Sequence, residues 1–207
     1  MSKHIVSIKN IAARVGLVEA ETELPNGKVV MSLTWTPGHL PRVFETCNKL
    51  REELGVGKSD VVIIDGGCPT WLLPTVSHAF HPTASAVRFP QGGPDVVLPV
   101  SGVQIDGAGA GADIEFKVNE TDEFTLVEFS MNKNEIDAVT TLASLVAPTV
   151  TFGKPVRISG RGPIAIAAAL AEAYAHRVPS VACFQPGTGF VTCISHDAAK
   201  PMGTVEK

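Results

Sequence analysis

The stretch Val156–Pro163, which reads VRISGRGP, decides how this chain can fold. A short apolar run that meets a glycine-rich segment ending in proline is typical of a strand, a tight turn and the start of a helix. The stretch Val61–Pro69 reads VVIIDGGCP and has the same order. The first glycines of these segments, Gly66 and Gly160, lie 94 residues apart, which indicates an internal repeat.

The repeat continues beyond the two glycine segments. Each is followed by an apolar stretch that ends in an aromatic residue and a histidine, His81 and His176, which are 95 residues apart. A strand-like run and a Gly/Pro turn come next, FPQG at 89–92 and FQPG at 184–187. A duplicated strand, glycine turn and helix is a scaffold that can hold one anionic ligand between two similar halves.

The first half is predicted to form one α/β unit, residues 1–102. Continuous apolar character at 61–64 indicates an interior strand, and the spacing of apolar residues at 40–54 predicts a helix that ends at Gly55. The other predicted elements are strands at 3–9 and 28–35 around a turn at 25–27, a helix at 70–80, and strands at 84–89 and 96–100.

The second half, residues 113–207, is predicted to repeat this order. Four glycines at 102–112 indicate a flexible link between the halves. The predicted elements are a hairpin at 114–118 and 124–129, a helix at 135–146, a strand at 155–158, a helix at 163–175, strands at 181–184 and 190–194, and a loose tail at 198–207. The chain is therefore predicted to be an α/β protein of two similar β-β-α-β-α-β-β units with mixed sheets, forming a pseudo-dimer.

Composition limits the partners of this protein. The chain is 44% hydrophobic and 18% charged, as in globular proteins, and its net charge of −4 argues against binding of long nucleic acid. A small phosphorylated ligand remains compatible with that charge. The four cysteines match no zinc pattern, and no apolar stretch approaches the roughly 20 residues that span a bilayer. We expect free thiols, a cytoplasmic location and no membrane partner.

The second glycine segment is the candidate anion site. Pro163 suits the first helical position, and Gly160 and Gly162 leave backbone amides open toward an anion at the helix start. A cation such as Arg161 at a helix start opposes the helix dipole by about 0.3–1 kcal/mol. The arginine therefore either binds an anion there or points into water. The first half has Gly67 in place of the arginine, and Asp65, which would repel phosphate or cap the next helix.

The six histidines allow several interpretations. His4 and His39 are expected to be ordinary structural residues. His176 would be either a helix-end residue or a general acid near phosphate. His78 and His81 are three residues apart and lack a nearby carboxylate or cysteine that would complete a metal site.

With these motifs in hand, the second half resembles the small CRISPR-associated ring nucleases. The resemblance rests on SGRGP at 159–163, Tyr174-Ala175-His176 and Ile194-Ser195-His196, and it covers about residues 114–197. Residues 28–102 resemble a diverged copy. The resemblance implies cleavage of cyclic tetra-adenylate, the second messenger of type III CRISPR defence. It further implies dimers that stack around the ligand, with one site built from different subunits, and it leaves manganese open as a cofactor.

The resemblance also suggests roles for individual residues. We predict catalytic roles for His176, Arg161 and Gln185. Ligand contacts are predicted for Ser159, Gly160, Gly162, Pro163, Ser195 and His196, and in the first half for Gly66, Gly67 and His81. A ribose 2′-OH would attack the neighbouring phosphate, Arg161 would stabilise its charge, and His176 would protonate the leaving oxygen. Arg161 and His176 should then meet in one cavity, within one chain or between assembled copies.

One turn departs from the family pattern. The family has Tyr-Asp-Pro-Arg where this chain has Phe184-Gln185-Pro186-Gly187, so that Gln185 replaces an aspartate and Gly187 an arginine. Two alternatives to a ring nuclease therefore stay open. One is a protein that binds a cyclic oligonucleotide without cutting it, and the other is a manganese-dependent nuclease that trims RNA from its 3′ end.

Overall fold

The structure, a computed structural model, describes residues 1–23, 26–89, 96–131 and 138–207. The first half contains β1 (Lys3–Ser7), α1 (Ile8–Arg14), β2 (Ala20–Glu23), β3 (Val29–Ser32), a 3₁₀ helix (Pro37–His39), α2 (Leu40–Glu53), β4 (Val61–Asp65), α3 (Leu72–Ala79), β5 (Ala84–Phe89), β6 (Val96–Pro99) and β7 (Gln104–Ile105). The second half contains β8 (Ile114–Glu120), β9 (Thr125–Met131), α4 (Ala138–Ala143), β10 (Val146–Ala147), β11 (Val156–Arg161), α5 (Ile164–Tyr174), β12 (Ser180–Gln185), β13 (Gly189–Ser195) and β14 (Val205–Glu206).

Two mixed sheets form the centre of the fold. The first has the order β1-β4-β5-β6, and the second has the order β14-β13-β12-β11-β9-β8. In the first sheet β1, β4 and β5 are parallel and β6 is antiparallel to β5. The four strands β9, β11, β12 and β13 repeat this order and these directions. The mixed α/β class predicted from the sequence is confirmed, and the two halves share a four-stranded topology.

The first half departs from the predicted order of elements at its start. The stretch predicted as one strand at 3–9 is a strand followed directly by α1, whose side chains Ile8, Ile11, Ala12 and Val15 are buried at helical spacing. The strand predicted at 28–35 therefore does not pair with β1. Its observed part, β3, pairs with β2, while β1 pairs in parallel with β4. Pro25, in the predicted turn, lies outside the described residues.

The link and the tail are ordered, contrary to the sequence prediction. Within 102–112, β7 pairs in parallel with β10, and the amide of Ala110 donates to the carbonyl of Val146. In the tail, β14 pairs with β13, and Glu206 forms an ion pair with Arg157 at 2.9 Å. Long-range pairing orders both segments, and no local pattern in their sequences indicates it.

Four further predictions differ at element boundaries or fall on residues outside the described part. The helix predicted at 135–146 ends at Ala143, and β10 follows; residues 135–137 lie outside the described part. The strand predicted at 155–158 extends to Arg161, so the SGR motif belongs to β11. Pro163 is the N-cap of α5 and not its first helical residue. The predicted FPQG turn falls largely on residues 90–92, which the structure does not describe.

Helices α3 and α5 pack side by side between the halves, each behind its own glycine segment. Every residue of α3 is buried, as are Ala165–Ala171 and Tyr174 of α5. Thr75 of α3 donates to the backbone carbonyl of Cys193 in β13 at 2.6 Å. The halves therefore meet in a continuous core.

Candidate functional site

The two helices run in parallel, so that their starts lie at one end of the molecule and their finishes at the other. Thr70, just before α3, lines the same cavity as Pro163 and Ile164 at the start of α5. His78, near the finish of α3, contacts His176, just after α5. We call the first region the glycine end and the second the histidine cluster.

The glycine end holds a cavity of about 450 Å³. It contains the predicted ligand residues Ser159, Gly160, Gly162 and Pro163 together with Arg161; its other lining residues are Thr70, Phe129, Ile158, Ile164, Ala167, Phe184 and Pro186. Gln185 is half-buried at the last position of β12, between two lining residues. The sequence motif and the turn that departs from the family pattern thus meet at the carboxyl edge of the second sheet.

Gly160 has a packing role that the sequence prediction missed. It lies in β11 opposite Phe129 of β9, and a β-carbon at this position would collide with the Phe129 ring. Gly162 is also tight, since a β-carbon there would come within 3.0 Å of Met131. The glycines are therefore required by close packing of the strands, whatever the cavity binds.

Arg161 supplies positive charge to this cavity. Its side chain is exposed and has no ion-pair partner within the described parts of the chain. Pro163 caps α5, an 11-residue helix, without a side-chain hydrogen bond, and Ile164 at the helix start lines the cavity. The amide of Ile166 donates to the carbonyl of Pro163 at 3.0 Å, which leaves the amides of Ile164 and Ala165 available at the helix start. A guanidinium beside free amides at a helix start favours an anion such as phosphate.

The first half has a cavity of about 380 Å³ at the equivalent place. Gly66, whose φ of 113° suits glycine, and Gly67 line it together with Trp35 and Cys68. Its cation, Lys9, pairs with Glu19 at 2.8 Å. This cavity is therefore less positive than the one at Arg161. The suggested capping of α3 by Asp65 is wrong, since the N-cap of α3 is Trp71.

The histidine cluster consists of His78, His81, His176 and His196. The ring centroids of His81 and His176 lie 4.2 Å apart, and those of His78 and His176 lie 5.1 Å apart. The rings of His78 and His196 are separated by 5.6 Å, and those of His176 and His196 by 5.8 Å. His78 is buried, and the other three are exposed. Each half of the chain contributes two of the four imidazoles.

The surroundings of the cluster favour the neutral forms of His78 and His176. Burial, followed by the neighbouring histidines, lowers the pKa of His78 to about 4. Burial, His81 and His196 lower the pKa of His176 in the same direction. The Nε2–H of His196 donates to the carbonyl of Ala175 at 2.9 Å, which fixes its ring and leaves Nδ1 as the free nitrogen in the neutral form.

Glu172 lies behind the cluster on α5. Its side chain is 9% exposed, and burial raises its pKa to about 7. Its Oε2 atom is 4.0 Å from Nδ1 of His78, too far for a hydrogen bond. Since the pKa shifts of both groups favour their neutral forms, this contact is not an ion pair near neutral pH.

The structure separates the predicted catalytic residues into two groups. Arg161 and Gln185 lie at the glycine end, while His176, with the predicted contacts His196 and His81, lies in the histidine cluster. Helix α5 has 11 residues, which at about 1.5 Å per residue sets these groups roughly 16 Å apart. Ser195 ends β13 beside His196. Within one chain, Arg161 and His176 do not share a cavity.

The sequence analysis did not predict that His78 and Glu172 lie beside His176. The available signal was the repeat itself, because it equates His81 with His176. Symmetric packing of two equivalent helices would bring those histidines together. Glu172 lies on α5, 4 residues before His176, and falls on the side of the helix that faces His78 of α3.

Other expectations concern metals, membranes and thiols. No group of three or more His, Cys, Asp or Glu side chains within residues 1–23, 26–89, 96–131 and 138–207 is arranged to hold a metal ion. Among the helices in those ranges, none combines the length and apolar character needed to cross a bilayer. All four cysteines are free, as predicted.

Comparison with known families gives a match to the second half of the chain. Residues 130–207, 78 of the 207 residues, match the model of a family described as CRISPR-associated protein (Cas_csx3). The match includes Arg161, Gln185, His176 and His196, and it leaves out the first half with His78 and His81. The second half of the chain is therefore similar to a CRISPR-associated family, in agreement with the broader part of the resemblance noted in the sequence.

Proposed function

We propose that this protein is a ring nuclease that cleaves cyclic oligoadenylate, most suitably cyclic tetra-adenylate, to linear products and so switches off type III CRISPR signalling. The observation that supports this most is the arrangement of α3 and α5. The glycine end, with the exposed Arg161, lies at one end of these helices and a group of imidazoles lies at the other, in a chain whose second half is similar to a CRISPR-associated family.

The ligand is proposed to bind at the glycine end, where the two halves of one chain take the place of the two subunits of a dimer. Residues 1–102 and 113–207 act as the two halves of a pseudo-dimer, and Thr70 from the first half lines the cavity of the second. Arg161 and the amides at the start of α5 bind phosphate. Phe184, 39% exposed at the rim, offers a flat surface on which an adenine base stacks.

The reacting phosphate is proposed to meet imidazoles from another copy of the chain. Since Arg161 and His176 are at opposite ends of α5, a stacked homo-oligomer would bring the glycine end of one copy against the histidine cluster of the next. His176 then protonates the leaving 5′-oxygen as the 2′-oxygen attacks, a role worth about 10²–10⁴-fold in rate. This step uses the protein's own side chains and does not require manganese.

A protein that binds the cyclic ligand without cutting it is the second candidate. Two observations favour it: the carboxylate and the guanidinium of the family turn are replaced by Gln185 and Gly187, and one chain alone does not join its two candidate groups. Manganese-dependent RNA trimming receives no such support from the described residues, and it enters the test below as a separate outcome.

The test is incubation of the full chain with cyclic tetra-adenylate, with and without manganese, followed by chromatography of the products. Linear adenylates that end in 2′,3′-cyclic phosphate, formed without metal, support the proposal. Tight binding of intact ligand supports the second candidate. Absence of binding refutes both the ring nuclease and the binding protein. If the same incubation with a linear RNA shortens that RNA only with manganese, the result supports the RNA-trimming nuclease. Light scattering at the same concentrations measures whether the ligand stacks several copies.

A further inference from the structure

The histidine cluster joins two imidazoles that occupy equivalent places in the two halves. His81 follows the last residue of α3 by two positions, and His176 follows the last residue of α5 by two positions. Their ring centroids are 4.2 Å apart, closer than the other ring pairs of the cluster. Both side chains are exposed, so a phosphate arriving at this surface meets both rings.

Two imidazoles at this separation do not readily carry two charges. Two positive charges about 4 Å apart repel strongly, so protonation of one ring disfavours protonation of the other, and the two charges are gained in separate steps. Between those steps one ring is charged and the other is neutral. The pair of His81 and His176 is therefore suited to carry one positive charge, that is, one proton more than two neutral imidazoles hold.

We propose that His81 and His176 act as one acid–base pair, in which His81 removes the proton of the attacking 2′-OH and His176 protonates the leaving 5′-oxygen. This rests on the proposed ring-nuclease function and adds a second catalytic residue to it. The first half of the chain, which the family match does not cover, thereby supplies the general base.

The step balances without another reactant. The 2′-oxygen forms a bond to phosphorus, the bond from phosphorus to the 5′-oxygen breaks, and the product ends in a 2′,3′-cyclic phosphate. One proton moves from the 2′-OH to His81, and one moves from His176 to the 5′-oxygen. The pair still holds one proton, now on His81, and its return to His176 restores the starting state.

Charged and titratable groups from several elements lie around this pair. Arg51 of α2 donates to the backbone carbonyl of His81 at 2.8 Å, and Lys58 lines a cavity of about 410 Å³ together with His81. The remaining ionisable groups around the pair are His78 of α3, Glu172 of α5, His196 after β13, and Arg177 and Asp197, which adjoin His176 and His196 in the chain.

The experiment compares wild type with His81→Ala, His81→Gln and His176→Ala in cleavage of cyclic tetra-adenylate across pH. We expect a bell-shaped rate profile for wild type. His81→Ala and His81→Gln should lose the acidic limb, His176→Ala should lose the alkaline limb, and each should be about 10²–10⁴-fold slower at neutral pH. The control is His39→Gln, a half-buried histidine outside the cluster, which should keep the wild-type profile.

A second measurement does not depend on cleavage. NMR titration of the imidazoles in the free protein should show the midpoint of His176 shifted upward in His81→Gln, because a neighbouring charge has been removed. An unchanged midpoint of His176 refutes the proposed acid–base pair, and this result holds even if the protein does not cleave the ligand. Wild-type cleavage together with full activity of both His81 variants also overturns the pair, and it leaves the proposed function standing.

Discussion

Replacing Glu172 with glutamine removes an ionisable group from the interface of α3 and α5 while preserving its size. Burial raises the pKa of this carboxyl to about 7 from its ordinary value of 4.5. The folded protein therefore binds this proton more tightly than the unfolded chain. Its contribution to stability is fully present below the unfolded pKa and is lost as the pH rises through the folded pKa.

The size of this effect follows from the two pKa values. Between about pH 5 and about pH 8 the ionisation of Glu172 should remove about 2.5 kcal/mol from the free energy of unfolding. Glu172→Gln lacks this loss, so its stability relative to wild type should rise by that amount over the same interval. His78 acts in the opposite direction, since its lowered pKa costs stability as the pH falls from 6.5 toward about 4. That contribution is common to both proteins and largely cancels in their difference.

The assay is urea unfolding of both proteins at several pH values, followed by far-ultraviolet circular dichroism. Glu52→Gln is the matched control, because Glu52 is exposed on α2 and its replacement should change stability equally at every pH. A difference between Glu172→Gln and wild type that stays constant from about pH 5 to about pH 8 would refute the assignment of a buried, proton-holding carboxyl.

Three shorter predictions test the glycine end and the core. Gly160→Ala should lower the free energy of unfolding by about 1–3 kcal/mol by overpacking against an aromatic ring, measured by urea unfolding, while Gly67→Ala, where a β-carbon meets open space, should change it little. Arg161→Ala should weaken binding of cyclic tetra-adenylate by about 10- to 100-fold in calorimetry, with Arg42→Ala unchanged; equal affinities would reject the anion site. Tyr174→Phe should cost about 1–2 kcal/mol in thermal unfolding, because its buried hydroxyl donates to a backbone carbonyl at 2.7 Å; unaltered stability would contradict this.

Local patterns were sufficient to predict several elements of the fold. The interior strand β4, the helices α2 and α5, and the strands β12 and β13 agree with the predictions because apolar spacing and glycine or proline boundaries are local signals. The helix α1 was missed because it begins in the residue after β1, where the apolar period changes without a turn. The pairing of β7 with β10 and of β14 with β13 depends on distant residues, and no local pattern encodes it.

The candidate site shows the same division between local and distant information. Residues 159–163 form one wall of a cavity because they are adjacent in the sequence, so a motif was enough to locate them. The histidine cluster required the parallel packing of α3 on α5, which no single motif contains. The separation of Arg161 from His176 follows from the length of α5, once the motif is known to lie before the helix and the histidine after it.

The alanine-rich composition of α5 connects these two ends of the molecule. Ala165, Ala167–Ala169 and Ala171 are buried, and small side chains allow a neighbouring helix to approach closely. Because α3 can approach α5, residues that follow the two helices at equal distances reach each other, and the rings of His81 and His176 come within 4.2 Å. The same approach places Thr70 in the cavity of Arg161. A helix that is apolar on every side therefore sets the geometry of both candidate groups, although it contributes almost no chemistry to either.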